Sequence, residues 1–320
     1  MDELIPQQDF LDLSREIDAL LRGLSDSQIY VWELLVFAGR LLLFLAGYAV
    51  FARAIPLDRI IGLSIMAYAY YGIAITGVHE ASHKTFVKSG PGNRLWLYFF
   101  SDFWAAQSSS WWHYRHVIMH HAQTNVPGKD PPLFIYPWLD KYLYFLVVPF
   151  LTSFWLVFHS AAFLWDNAKD LLVYLLLAGA GWAFHIYLFH LVLPWGQAAL
   201  AAFVMRSLFA PIFMHLAVFN HIGLDNPEVR LPWLPHQTRT TRNLRPHWFL
   251  SGMGGNAFVE CHIEHHLFPS LPNHMLARIR PVVRRYLEKT GYTYTEQGYW
   301  DCLKNSLRHY DSLFTPDPAV

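Results

Sequence analysis

The sequence predicts an all-α membrane protein with four transmembrane helices, one further broken or interfacial helix, and a cytoplasmic helical cap that carries clustered histidines. Three observations lead there. Five apolar stretches, at about 31–52, 59–78, 142–165, 171–193 and 196–219, each approach the roughly 20 residues that cross a bilayer as helix. Only 15% of the residues are charged, while 54% are hydrophobic and 17% aromatic; a soluble domain of this size carries about a quarter charged residues. Many of the 18 histidines gather in polar segments that flank the apolar stretches.

Taken in order, residues 1–30 hold scattered acids, Arg15 and Arg22 before any long apolar run, which reads as an amphipathic surface segment rather than a cleavable signal peptide. The stretches 31–52 and 59–78 are the first two spans. The run 95–106 is too short to cross and contains Asp102, so it is expected at the membrane interface. Parity decides the status of 142–165. Histidine clusters lie at 113–121 and again at His221 with three apolar stretches between them, so if the clusters share one side, one stretch must fail to cross. Pro149 removes a backbone donor in the middle of "YLYFLVVPFLTSFW", and 142–165 is therefore expected to be the broken or interfacial element. The last two spans are 171–193 and 196–219. Residues 31–290 form one membrane domain, with 291–320 as a C-terminal tail.

Charge sets the orientation and excludes one class of partner. Segments 84–94 and 228–289 hold most of the basic residues, which places the histidine side in the cytoplasm by the positive-inside tendency. The 24 basic and 24 acidic side chains balance, so nothing supports a general affinity for nucleic acid. The two cysteines, Cys261 and Cys302, make neither a thiolate metal motif nor a disulfide framework.

The histidine spacing carries the chemistry. His79 and His83 stand four apart, one turn along a helix face. His116 and His120 repeat that interval, with His121 rotated by about 100° on an α-helix. His262, His265 and His266 give three-and-four spacing with the same doubled end. Eight rings gathered at a membrane would repel one another if charged, and metal ligation would keep them neutral. Eight also exceeds what one zinc or one octahedral iron takes. Two ions are the economical inference. Zinc would suit hydrolysis or a receptor, iron oxygen activation, and imidazole binds both.

These residues resemble the integral-membrane fatty acid desaturases and their hydroxylase relatives, a family marked by three histidine boxes. "HEASH" at 79–83 matches His-x-x-x-His, 116–121 matches His-x-x-x-His-His, and "HIEHH" at 262–266 matches His-x-x-His-His and runs into "LFPSLP". The resemblance covers about residues 30 to 290. It implies a di-iron centre, two Fe ions held by the box histidines and by His221 in "FNHIGLD", with dioxygen as co-substrate and an acyl chain as substrate. That chain would arrive on coenzyme A, acyl carrier protein or phospholipid. No His-Pro-Gly-Gly motif of a fused cytochrome b5 is present, so electrons are expected from a separate carrier of the ferredoxin or cytochrome b5 type. Desaturation is the expected reaction; hydroxylation, ketolation or acetylenic bond formation on the same fold are the alternatives. "GGNAFVECHIEHH" differs from the "GGLNFQIEHH" of common phospholipid desaturases, so their substrate and regiochemistry are not transferred.

An all-histidine site leaves the charge of two irons uncompensated. Glu80, Glu264, Asp102 and Asp130 lie near the clusters in sequence and are expected to orient ring N–H groups, with Asn220 and His113 in similar supporting places. Helix capping or solvated surface charge is the bland alternative for each. Arg239, Arg242, Arg245 and His236 are expected to meet an anionic headgroup or membrane lipid. His215 is expected to line the acyl tunnel, and His185 and His190 to bond between spans.

Overall fold

The computed structural model describes residues 4–130 and 139–310, and these are mostly helical. In chain order the helices are α1 (Leu4–Leu21), α2 (Asp26–Phe51), α3 (Pro56–Ser82), α4 (Gly90–Leu97), α5 (Ser109–Trp112), α6 (His121–Gln123), α7 (Thr152–Phe163) and α8 (Ala168–His190). They continue as α9 (Trp195–Ser207), α10 (Ala210–Phe219), α11 (Trp233–Thr240), α12 (Trp248–Phe258), α13 (His262–Leu267), α14 (Asn273–Thr290) and α15 (Tyr299–His309). π-helical turns occupy Tyr98–Ala105, His113–His120 and Leu143–Val147. Two short strands, β1 (Asn243–Leu244) and β2 (Glu296–Gln297), pair in parallel with Asn243 opposite Glu296.

Among the described residues, five segments are long and apolar enough to cross a membrane: Asp26–Phe51, Pro56–Ser82, Leu143–Phe163, Ala168–His190 and Trp195–Phe219. Each turns a large apolar side chain outward, among them Leu42, Ile60, Phe158, Leu176 and Leu200. The third of these is broken where the sequence places Pro149. It begins as a π-helix over Leu143–Val147, tightens to a 3-10 turn over Val148–Leu151, and becomes regular only from Thr152. Proline has no N–H to give an α-helical ladder, so the hydrogen-bond register changes there.

The described chain divides into two compact units. One holds residues 30–114 and 146–214, the other α1, residues 115–145 and everything from 215 onward.

In the first unit the spans approach closely through small residues. A Cβ on Gly62 of α3 would lie 2.5 Å from the Gly47 carbonyl oxygen and the Phe51 nitrogen of α2, the backbone proximity that small residues permit between membrane helices. Gly181 of α8 is tighter still, since its Cβ would fall 1.7 Å from the Phe103 oxygen. Arg206 of α9 is fully buried and donates to the carbonyls of Trp104 and Ala105, which end the first π-helix. Its guanidinium also lies 4.2 Å from the centre of the Trp182 ring. Carbonyl dipoles and an aromatic face thus stand in for solvent around this cation.

The second unit is built on a core of Leu234, Ala257, Cys261, Ile263, Leu276, Ile279, Val283 and Leu287. The amphipathic N-terminal helix belongs to this core through Leu13 and Ile17. The hydroxyls of Tyr286 and Tyr292 donate to the backbone oxygen and side chain of Asp9, holding α1 against α14 and its C-terminal continuation. Residues after 290 also join the unit: β2 pairs with β1, and the Tyr294 hydroxyl reaches Glu264.

Candidate metal centre

The winding of residues 113–120 decides where the second histidine cluster points. This stretch is a π-helix, with bonds from i to i+5, and it hands over to α6 at His121. Residues five apart then share a face, so His116 and His121 meet, with their Nε2 atoms 3.3 Å apart. An α-helical reading pairs His116 with His120 and turns His121 aside; the structure reverses the roles of His120 and His121. The Nε2 atom of His265 lies 3.1 Å from that of His121.

His120 joins a different group. His120, His221, His262 and His266 each offer a nitrogen, and these four atoms all lie within 4.8 Å of one another. Segments from three parts of the chain bring them together: the end of the π-helix, the turn after α10, and α13, where His262 and His266 stand one α-turn apart. Every ring of this group is anchored on its other side. The Nδ1 atoms of His221 and His262 face the backbone carbonyls of Thr240 and Ala257 at 3.0 and 2.7 Å. Nδ1 of His120 faces Asp130 Oδ1 at 3.1 Å, and Nδ1 of His266 faces Gln237 Oε1 at 2.9 Å. A carbonyl or carboxylate oxygen accepts, so each Nδ1 donates its proton and each Nε2 keeps a lone pair for the centre of the group.

This donor set fits metal ions. Two nitrogens bound to one ion at about 2.1 Å lie roughly 3.0–3.4 Å apart. The separations of 3.3 and 3.1 Å at His121 match that, and the 2.8 Å between Nε2 of His221 and of His262 is close to it. Nε2 of His266 is buried with no hydrogen-bond partner. Burial pushes His262 down to about 3 and His221 and His266 well below the ordinary imidazole range, with the neighbouring rings adding to the effect. These three rings are therefore neutral at physiological pH, the form a metal requires.

Other expected site residues take varied places. His79 and His83 end α3 in the first unit, with ring centres 4.8 Å apart. Glu80 is buried there, accepts from the Thr85 hydroxyl at 2.6 Å, and lies 3.8 Å from Nδ1 of His79. His113 is half-buried in the same unit, and burial lowers its pKa. Asn220 is buried and donates to the carbonyls of Leu216 and Phe258, tying α10 to α12. Asp102 accepts from the Ser109 backbone N–H and so holds the start of α5.

Three expectations need correction. Glu264 orients no ring: its carboxylate accepts from Asn243 and Tyr294, which fix α13 from the side, and burial pushes it up to about 7. Arg242 is buried and donates to the Ile222 carbonyl and to Gln297, so it does not face a headgroup. His236 is likewise buried, accepting from the Leu231 N–H. His215 has both nitrogens committed, one to the Phe145 carbonyl and one to the Tyr299 hydroxyl. Arg239 and Arg245 are exposed, Arg239 in an ion pair with Asp225. Sequence reasoning missed Gln237 and the two backbone acceptors, Thr240 and Ala257.

A family model described as fatty acid desaturase matches residues 56–298, a range that contains the eight histidines singled out by their spacing and His221. The human protein named Fatty acid desaturase 6 is 29% identical over 269 residues, covering 81% of this chain and 75% of its own length. Its mouse namesake is 27% identical over 319 residues, 97% of this chain and 92% of its own. A Caenorhabditis elegans protein named Delta(5) fatty acid desaturase fat-4 is 26% identical over 257 residues, 70% of this chain and 57% of its own. With five helices long and apolar enough to cross a bilayer, the chain is a multi-pass membrane protein that belongs to the fatty acid desaturase family.

Proposed function

We propose that this protein introduces a double bond into a fatty acyl chain at a pair of iron ions, using dioxygen and two electrons from a separate carrier. The observation that carries the reading is the group His120, His221, His262 and His266, each with Nδ1 anchored and its nitrogen facing the others. One ion is assigned to that group. The second is assigned to the remaining five, His79, His83, His116, His121 and His265. Iron bound there would supply the oxidising power to remove hydrogen from unactivated methylenes, which zinc, having no redox chemistry, lacks. The reaction balances as one CH2–CH2 unit, one O2, two electrons and two protons giving CH=CH and two waters.

The chain's own residues supply the rest. Asp130 places a carboxylate against His120 and so adds negative charge behind one ligand. The backbone acceptors on His221 and His262 fix ring orientation without adding charge. Apolar spans hold the acyl chain away from water, which limits competing reactions. Four of the five apolar segments are taken to cross, with Leu143–Phe163 remaining on one side because its helix is broken at Pro149. The metal ligands then face the cytoplasm, and exposed Arg239 and Arg245 are available to an anionic headgroup or to coenzyme A.

Gas chromatography with mass spectrometry of acyl lipids from a host expressing the protein tests this, with His265→Ala as control. A new unsaturated fatty acid, absent from the control, is expected. A product carrying added oxygen would overturn desaturation in favour of hydroxylation or ketolation.

A further inference from the structure

Gln237 joins two of the ligand-bearing segments. It is fully buried on α11, its Nε2 donates to the backbone carbonyl of His121 at 2.9 Å, and its Oε1 stands 2.9 Å from Nδ1 of His266. A backbone carbonyl can only accept, so the amide cannot be turned over. Its oxygen must therefore face His266, and Nδ1 of His266 must carry the proton. Nε2 of that ring is left with a lone pair, buried and without a hydrogen-bond partner. Thr124 does not compete for the role, since its hydroxyl donates to the His120 carbonyl at 2.7 Å and stands 3.5 Å from Nδ1 of His266.

The other three rings of the group differ in what they lean on. His221 and His262 use backbone carbonyls, which no substitution removes, and His120 uses a carboxylate. Among these four acceptors Gln237 is the neutral side chain, and it also grips the backbone of another ligand-bearing residue, His121. Its two bonds connect the second histidine cluster to the third.

We propose that Gln237 is a positioning residue for the metal centre, fixing the tautomer and direction of His266 and tying that ring to the backbone of His121. The proposal rests on the reading that iron binds at these histidines. It deepens that reading by naming a residue whose loss should loosen most the ion at His266, the one ligand ring that it touches.

Full-length protein in detergent, loaded anaerobically with iron(II), supplies the test. Iron retention is measured against a competing chelator, and Mössbauer spectra are recorded with enriched iron. Gln237→Leu removes both the acceptor and the donor at similar volume. It is expected to weaken retention of the iron at His266 by about 10–100-fold, the usual effect of losing an outer-shell partner, and to affect the other iron less, because His121 loses only a bond to its backbone carbonyl. Gln237→Glu keeps an acceptor toward His266 and loses the donor to the His121 carbonyl, so it is expected to recover retention of the iron at His266 and to shift its spectrum, because a carboxylate makes the ring a more basic ligand. Wild-type retention with an unchanged spectrum in Gln237→Leu overturns the proposal, as does a Gln237→Glu protein no better than the leucine variant. Should the leucine variant not fold, an unchanged spectrum in Gln237→Glu overturns it alone. Wild-type protein that holds no iron overturns the proposed function, and this inference with it; an iron-loaded wild type beside an indifferent leucine variant overturns this inference only.

Discussion

His262, His221 and His266 are buried as neutral rings, with burial the first cause of their lowered pKa in each case and His262 held at about 3. In an unfolded chain each imidazole titrates near 6.5. As pH falls below about 6.5 the unfolded chain takes up protons that the folded state refuses, so the metal-free fold loses stability, and the loss grows toward about 3. Glu264 opposes this. Burial raises it to about 7 from an ordinary 4.5, so the folded state takes its proton first and gains stability over that window. Asp102 is raised to about 7 in the same way, but burial also lowers His113 and His236, and five rings against two carboxyls set the sign. The unfolding midpoint of chelator-treated protein should fall from about pH 7 to about pH 5; a midpoint that holds level or rises contradicts the burial of these rings. The meeting of His262 with His266 was legible from spacing, since rings three or four apart on a helix share a face. The anchors of the rings were not, because the carbonyls of Thr240 and Ala257 belong to the backbone and appear in no motif. Gln237 reaches His266 from 29 positions away in the chain, a distance no local pattern encodes.

Among the elements, the segment 113–120 was legible as helix but not as a π-helix. Spacing alone cannot show a change of hydrogen-bond register, and it is that register which pairs His116 with His121 and sends His120 to the other group. The break in the third apolar segment was readable, since Pro149 names its own consequence. Gly181 shows what a hydrophobic run conceals. Its place in α8 looks like any small residue in a span, yet a Cβ there would enter the Phe103 carbonyl. Gly181→Ala should therefore force α8 away from the π-helix Tyr98–Ala105 and cost about 1–3 kcal/mol, the usual range for overpacking. A lowered thermal midpoint in detergent is the expected result. An alanine variant as stable as wild type would contradict the close approach.

At the level of the whole molecule, composition was enough to give a membrane protein, and the number of crossings rests on parity. On the proposed topology, in which Leu143–Phe163 does not cross, Arg53 and Asp166 are expected on opposite sides of the membrane. Cys261 and Cys302 are buried, so single cysteines at the two positions can be probed with a membrane-impermeant thiol reagent on intact cells. Arg53→Cys should label from outside and Asp166→Cys only after permeabilisation. Labelling of Asp166→Cys from outside would mean that the broken segment crosses. The account's central claim, that nine histidines hold two irons, is tested most directly by counting metal in purified active protein. Two irons per chain are expected in the wild type, falling to about one in His221→Ala, whose ring belongs to a single group. Zinc in place of iron, or the same iron content in both proteins, would contradict the account.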